Sequence, residues 1–301
     1  MFGKTTMQNP CINIVISVFN RRELTRACLC SLARQSYRNF QIIVVDDGST
    51  DGTSAMIRQD FPEVLLLHGD GNLWWTGAVN VGVRQALSLA QARDFVLLLN
   101  DDLVVEADYL QTLLQAAERM PHAVIGSVEV LADDPDVIFS GAVRVNWLTA
   151  KQQVLHAGQR LSQFARDHLE PVSIQHGRGA LYPVAVFKEV GLFDDRHFKQ
   201  CGDTELPRRA ALRGFPLYVC YGAVVKTTAA QSGKNINTQA RYTLRDFRKY
   251  FFDVRSNCRL VYRWYFCRNI FTNPLARLNY FCFDVLRITW RFFSRLSFRQ
   301  P

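Results

Sequence analysis

Three short apolar runs, each stopped by polar or acidic residues, set the strongest limit on what this chain can fold into. They are INIVISVF at 12–19, apolar apart from Asn13 and Ser17, QIIVV at 41–45, which runs into Asp46 and Asp47, and FVLLL at 95–99, which runs into Asn100, Asp101 and Asp102. Such short runs of branched and aromatic residues, bounded by polar clusters, read as strands covered on both faces. Helical spacing fills the intervals: Leu24, Cys28 and Leu32 recur at steps of four within 22–36, and Val79, Val83, Ala86 and Leu87 share a face within 78–90. Strands alternating with helices predict an α/β fold around a mainly parallel sheet. Open sheets of this class take ligands beyond the carboxyl ends of their strands. Phe19-Asn20, Asp46-Asp47 and Asn100-Asp101-Asp102 are expected to meet at that edge.

Further along, PHAVIGSVEVL at 121–131 holds another strand, 132–176 reads as inserted hairpin or loop material facing a ligand, and short helices are expected over 183–190 and 203–213. The composition then changes. Residues 241–301 carry 12 Arg and 1 Lys against 3 Asp, a charge of +10 that exceeds the net +9 of the whole chain, and 17 of its 36 aromatic residues. A boundary is expected near residue 235, followed by at least two helical pieces broken near Asn273-Pro274. The eight cysteines form no CxxC pair and read as scattered thiols suited to a reducing compartment. No secretory leader is read at the start, and no apolar stretch is long enough to span a bilayer.

Three segments carry the types of residue that chemistry needs. LLLNDD at 97–102 delivers carboxylates to a strand end, where oxygen ligands suit Mg²⁺ or Mn²⁺ with phosphate and water completing the shell; a solvent-facing acidic turn reads equally from the residues alone. In VVDDGSTDGT at 44–53, Asp46 or Asp47 can accept a hydrogen bond from a base or ribose, and Ser49, Thr50 or Asp51 can cap the next helix. FDDRHFKQCGDTELPRRA at 193–210 groups Asp194, Asp195, Asp203 and Glu205, either a general base near a hydroxyl or a charged helix start. A GxGxxG after the first strand, a GxxxxGK[ST] loop, a GxSxG elbow and zinc-ligand spacing are all missing, which argues against a Rossmann oxidoreductase, a P-loop kinase, an α/β-hydrolase and a zinc enzyme.

The order of these segments resembles family 2 glycosyltransferases over roughly residues 12–230. ISVFNRRELTRACLCSLARQSYRNFQIIVVDDGSTDGT is similar to the family's opening, GNLWWTGAVNVGV at 71–83 to its glycine- and asparagine-containing segment before a helix, and LLLNDD to its metal motif. GRGALYPVAVFKEVGLFDDRHF at 177–198 resembles its acceptor-side segment, and GDTELPRR at 202–209 its acidic motif. Within the family the Asn-Leu-Trp-Trp variant looks most like bacterial enzymes of surface-polysaccharide assembly, including a rhamnosyltransferase-like group. The resemblance implies a GT-A fold, a Rossmann-like mixed and mainly parallel sheet flanked by helices, with a helical C-terminal extension. It divides the chain into a catalytic domain over 1–235, with a nucleotide-sugar half at about 10–105 and an acceptor-side half at about 120–235, and a basic aromatic extension over 236–301.

Carried over residue by residue, the resemblance places Val18, Asn20, Asp47, Trp74, Trp75, Gly77, Asn80, Asn100 and Asp101 around the nucleotide-sugar, Asp102 on the metal and Asp203 as catalytic base. Asp195, Glu205 and Lys226 are acceptor-side candidates. Three positions depart from the family pattern: Asn100 stands where many members have a first Asp, Gly202 replaces the usual Glu, and Lys226 lies near a customary His. The implied reaction is a metal-dependent inverting transfer, with Mg²⁺ or Mn²⁺, from a UDP- or dTDP-linked sugar to a hydroxyl of a cell-surface glycan or lipid-linked acceptor. An inert nucleotide-sugar binding or scaffold protein of the same fold is the alternative. The basic aromatic residues of 241–301 suit either an anionic membrane surface or packing on the catalytic body, and suit nucleic acid less because no nucleic-acid module accompanies them. The expected place is the cytoplasm, peripherally on the inner face of the cytoplasmic membrane, with homo-oligomerisation open.

Overall fold

The structure is a computed structural model, described here over residues 9–227 and 241–296. The expected boundary near residue 235 and the stretch just after Lys226 lie outside those residues. The three apolar runs form strands β1 (Ile12–Val18), β2 (Phe40–Asp46) and β4 (Phe95–Asn100), with β3 (Leu65–His68) between the last two. They lie in the order β3-β2-β1-β4, all parallel, so the strand ends that carry Val18, Asp46 and Asn100 share one edge. Beyond β4 the sheet turns mixed. Strand β11 (Ala180–Pro183) runs antiparallel to β4, and beyond it come β6 (Val124–Leu131), β12 (Leu217–Thr227) and β10 (Leu169–Pro171). Strands β5 (Val104–Val105) and β7 (Asp134–Ser140) pair at the side with β12 and β6. The irregular region after β7 contains a separate hairpin of β8 (Val143–Val145) and β9 (Gln152–Val154).

Successive strand residues point to opposite faces of the sheet, and the core divides accordingly. Ile12, Ile14, Ile16, Leu97 and Leu99 pack on the face covered by α1 (Arg22–Ala33), α2 (Thr53–Asp60) and α4 (Tyr109–Arg119). Val15, Ile43, Val96 and Leu98 pack on the other, beneath α3 (Trp74–Leu89), α5 (Val184–Val190) and α6 (Glu205–Leu212). Helix α3 lies close because Gly82 faces β1: a Cβ there would meet Val15 Cγ1 at 2.4 Å.

Helix α3 begins at Trp74, four residues before the expected start at Ala78. Its apolar periodicity begins later than its backbone does, because its amino end is held from outside: Asp47, at the end of β2, accepts the Trp74 N–H at 2.9 Å. A carboxylate at a helix amino end satisfies an orphan donor and favours the dipole. The extension comprises α7 (Phe247–Phe252), α8 (Leu260–Ile270) and α9 (Pro274–Ser294). The break falls where Asn273-Pro274 predicts it, with the Asn273 side chain capping α9 through the N–H groups of Leu275 and Ala276. The extension packs onto the body. Tyr262, Phe266, Cys267 and Ile270 of α8 join Val143, Val145, Ile174 and Phe198 in one apolar cluster, which Tyr280 of α9 completes. No helix among the described residues is long and apolar enough to cross a membrane.

Candidate active site

A cleft of about 920 Å³ opens over the carboxyl edge of the parallel strands, floored by Ser17, Val18, Asn100, Asp101 and Asp102. One wall is the loop and first turn leading into α3, with Gly71, Trp74 and Trp75. That wall hangs on Asp47, whose Oδ1 accepts Gly71 N at 2.9 Å and whose Oδ2 accepts Trp74 N at 2.9 Å. Trp75 reaches over the floor, and its indole N–H donates to Asn100 Oδ1 at 3.2 Å. The facing wall holds His176, Gly177 and Arg178, just before β11, together with Cys201, Asp203 and Thr204 at the entry to α6. The extension contributes Arg255, Asn257, Tyr262, Arg263 and Phe266. Two non-glycine residues of this lining, Trp74 and Cys201, hold positive φ angles of 57° and 61°. Such left-handed backbone costs of order 1–3 kcal/mol and persists only where the surroundings enforce it.

Charge in the floor is dense and balanced. Arg21, on the loop after β1, bridges Asp101 Oδ1 at 3.1 Å and Asp102 Oδ2 at 3.3 Å. Arg178 reaches Glu129 Oε1 at 2.8 Å and stands 3.6 Å from Asp102 Oδ1. Burial pushes the Asp101 carboxyl up to about 7, aided by the like charge of Asp102 and opposed by Arg21. Burial likewise raises Glu129, against the pull of Arg178. Asp102 Oδ1 is buried and accepts no hydrogen bond among the described residues. A buried carboxylate oxygen without a donor is a costly arrangement that a cation would relieve. No group of three or more His, Cys, Asp or Glu able to hold a metal occurs among the described residues. The described residues thus offer a divalent cation at most a carboxylate or two at this edge, as in sites where phosphate oxygens and water fill the remaining positions.

Asp203 sits half-buried on the facing wall. Its Oδ2 accepts the Gly177 N–H at 3.2 Å and lies 3.7 Å from His176 Nδ1, which leaves Oδ1 clear of both. Burial alone would raise this carboxyl, yet His176 and the Gly177 N–H hold it below its usual range. Burial would lower His176, yet Asp203 first and Glu129 next hold it above its usual value, against Arg178. Gly177 makes the close approach feasible: a Cβ there would stand 2.7 Å from Trp75 Cζ2 and 3.2 Å from Asp203 Cβ.

Of the residues singled out in the sequence, Val18, Asp47, Trp74, Trp75, Asn100, Asp101, Asp102 and Asp203 line this one cleft. The others stand elsewhere. Asn20 is exposed, and its Oδ1 accepts Thr50 N at 2.7 Å, tying two loops together. Gly77 lies inside α3 with its open side toward Leu73. Asn80 is buried and bonded to the Phe193 backbone. Glu205 is buried under Arg209, which it meets at 2.6 Å, and Asn269. Lys226 pairs with Glu106 beside a separate surface pocket of about 320 Å³, and Asp195 lines neither cavity. Arg21, His176, Arg178 and the extension residues escaped the sequence reading. Arg21 adjoins Asn20 and His176-Gly-Arg178 precedes a strand, so the first three had a positional signal; the extension residues had none.

A sheet ordered 3-2-1-4 with a mixed second half, and an acidic floor at the strand ends, defines a GT-A-type nucleotide-sugar fold. The profile of Glycosyl transferase family 2 matches residues 13–191, and the chain belongs to that family. It is therefore an enzyme that moves a sugar from a nucleotide donor to an acceptor. It is similar to an N-acetylglucosaminyl-diphospho-decaprenol L-rhamnosyltransferase of Mycobacterium tuberculosis, 29% identical over 234 residues that cover 69% of this chain and 73% of that protein. Among solved structures, S. aureus TarS 1-349 in complex with UDP-GlcNAc superposes with a TM-score of 0.57 at 16% identity, covering 93% of this chain and 73% of that one. GalNAc-T7 with UDP, GalNAc and Mn²⁺ superposes with a TM-score of 0.60 at 13% identity, covering 94% and 56%. At such identities the superpositions speak for the fold.

Proposed function

We propose that this cleft transfers a hexosyl or deoxyhexosyl group, with inversion, from a UDP- or dTDP-linked sugar to a hydroxyl of a cell-surface glycan or lipid-linked acceptor. The observation that carries the reading is that Asp102, whose buried Oδ1 accepts no hydrogen bond and has Arg178 3.6 Å away, and Asp203, with one oxygen held and the other clear, line the same cleft. The mycobacterial relative's name, a rhamnosyl group passed to N-acetylglucosaminyl-diphospho-decaprenol, supports a deoxyhexosyl donor and a lipid-linked acceptor.

Val18, Gly71 and Trp74 form the nucleoside side of the cleft. Asp47 braces that wall through two N–H groups and keeps lone pairs for a base N–H, since a carboxylate offers about four acceptor sites. Asp102 would hold Mg²⁺ or Mn²⁺, with Asn100 and Asp101 beside it. When bound, the ion neutralises charge developing on the leaving diphosphate. Arg21 and Arg178 hold positive charge beside the carboxylates of the same floor. Asp203 takes the acceptor hydroxyl proton at Oδ1 while His176 and Gly177 hold Oδ2. The acceptor oxygen bonds the anomeric carbon from one face as the carbon–phosphate oxygen bond breaks on the other, and the nucleotide leaves with that electron pair. Contact of the extension with the inner face of the cytoplasmic membrane belongs to the same reading.

The test is transfer by Asp203→Asn from a panel of UDP- and dTDP-sugars with Mg²⁺ or Mn²⁺, with donor binding followed by calorimetry. The expected result is a loss of turnover of about 10²–10⁴-fold with donor affinity nearly unchanged. Undiminished turnover removes Asp203 as the base.

A further inference from the structure

Helix α9 presents an apolar stripe that stays exposed among the described residues, interrupted at Asn279, which donates to Leu148 O at 2.8 Å. Leu275, Leu278, Phe283, Leu286, Trp290 and Phe293 are all exposed, from 43% for Phe283 to 78% for Leu275. At about 100° per residue they fall within one side of the helix. Tyr280, Asp284, Ile288 and Phe292 form the opposite, buried side. The stripe runs for about 27 Å, counted at 1.5 Å per residue from Leu275 to Phe293. A contiguous row of exposed large apolar side chains on a helix marks an interaction surface.

Charge decides the kind of partner. Asp284 is the one carboxylate in 274–294, and it is buried against Arg263 and Arg287. The outer face of α9 therefore offers no negative charge. Helix α7 packs on the last turns of α9, with the rings of Phe251 and Phe247 5.7 Å from Phe292 and the Tyr250 hydroxyl donating to Ile288 O at 3.2 Å. It brings exposed Arg248 and Lys249, with Arg245 just before it, beside exposed Leu244, Phe247 and Phe252. An apolar stripe on an extension of net charge +10 over 241–301 fits an anionic lipid surface, with the rings in the acyl boundary and the cations among the headgroups. A second copy fits less well, because a two-fold contact brings two such positive extensions together. With Arg277, Arg287 and Arg291 among its 21 residues, α9 suits the plane of the interface and not a crossing of it.

We infer that α9 is an in-plane membrane anchor, seating its stripe in an anionic leaflet, with the cations of the same extension, Arg248 and Lys249 of α7 among them, adding attraction to the headgroups. The same extension lines the cleft through Arg255, Tyr262 and Arg263, so anchoring ties the cleft to the membrane on which a lipid-linked acceptor would lie. The significance of that placement rests on the proposed acceptor class; the anchoring itself does not.

The experiment is flotation of the full chain with vesicles of phosphatidylcholine alone, and with about one third phosphatidylglycerol added, at low and high salt. Leu286→Glu, Trp290→Glu and the pair Arg248→Glu/Lys249→Glu are compared with the parent after melting curves establish that each is folded. The expected result is binding to anionic vesicles, weakened about tenfold or more by either stripe variant, and weakened by the cation pair or by high salt. Parent protein that stays off anionic vesicles overturns the anchor, as does binding that folded stripe variants retain. So does light scattering that shows a dimer dissolved by Leu286→Glu while no parent floats. Transfer to a lipid-linked acceptor in detergent micelles is read separately: flotation without any transfer leaves the anchor standing and removes the acceptor reading.

Discussion

Asn80 sits in the segment that the family resemblance sets beside the donor, yet its side chain faces the body of the protein. It is 1% exposed, donates from Nδ2 to Phe193 O at 2.8 Å and accepts the Phe193 N–H on Oδ1 at 3.1 Å. Phe193 in turn stands edge-on to Trp75, with ring centroids 6.0 Å apart. Asn80→Ala leaves a buried N–H and a buried carbonyl without partners. Each stranded group costs about 1–3 kcal/mol, so the variant is expected to lose about 2–6 kcal/mol of stability. At roughly 2 °C per kcal/mol for a chain of this size, the melting midpoint falls by about 4–12 °C. The assay pairs a thermal melt with donor affinity and kcat/KM measured well below the midpoint. Donor affinity is expected to hold within about threefold, because Trp75 keeps its own bond to Asn100. A melting midpoint unmoved by more than a degree, together with a tenfold loss of donor affinity, would refute the structural reading and put the amide on the donor.

Three further outcomes follow from the same geometry. Gly177→Ala forces its Cβ against Trp75 and Asp203, so kcat is expected to fall about 10–100-fold with donor affinity little changed, measured by steady-state transfer and calorimetry. His176→Gln removes the cation that helps hold the Asp203 carboxyl down, so that pKa rises and the acid limb of the kcat/KM profile, where activity is lost as pH falls through it, moves to higher pH; an unmoved limb refutes the pairing. Asp102→Asn keeps the shape but halves the ligand's basic oxygens, and donor binding is expected to lose its dependence on added Mg²⁺ or Mn²⁺ in a calorimetric titration with and without chelator.

The sheet was legible because burial on both faces writes itself as uninterrupted apolar runs, and β1, β2 and β4 fall on the three that the sequence shows. The acidic floor was legible for the same reason, since Asn100, Asp101 and Asp102 directly follow FVLLL. What stayed hidden is what depends on contacts distant in sequence. The start of α3 is fixed by Asp47, 27 residues upstream of Trp74, and no local spacing announces it. Arg178 and Glu129 meet across 49 positions, and His176 meets Asp203 across 27. Asn20, Asn80 and Glu205 have polar side chains spent on loop ties and a buried ion pair, uses that a motif position does not distinguish from ligand contact. The composition of 241–301 suggested membrane contact and packing as alternatives; among the described residues its helices pack by one face and expose apolar side chains on the other.

That two-sidedness decides how the extension has to be probed. Removing it would strip Arg255, Tyr262, Arg263 and Phe266 from the cleft wall and expose Val143, Ile174 and Phe198 beneath α8. A truncated chain that no longer floats or turns over would then report lost packing as readily as a lost anchor. Helices α8 and α9 are also joined through Asp284, which lies 3.5 Å from Arg263 Nη1 and pairs with Arg287, so a charge change on that inner side strands buried arginines at a cost of about 3–5 kcal/mol. The exposed residues Leu286 and Trp290 escape both difficulties. They sit on the far side of α9 from Asp284 and line no part of the cleft, and changing them alters what the helix shows to a membrane while leaving what it shows to the enzyme.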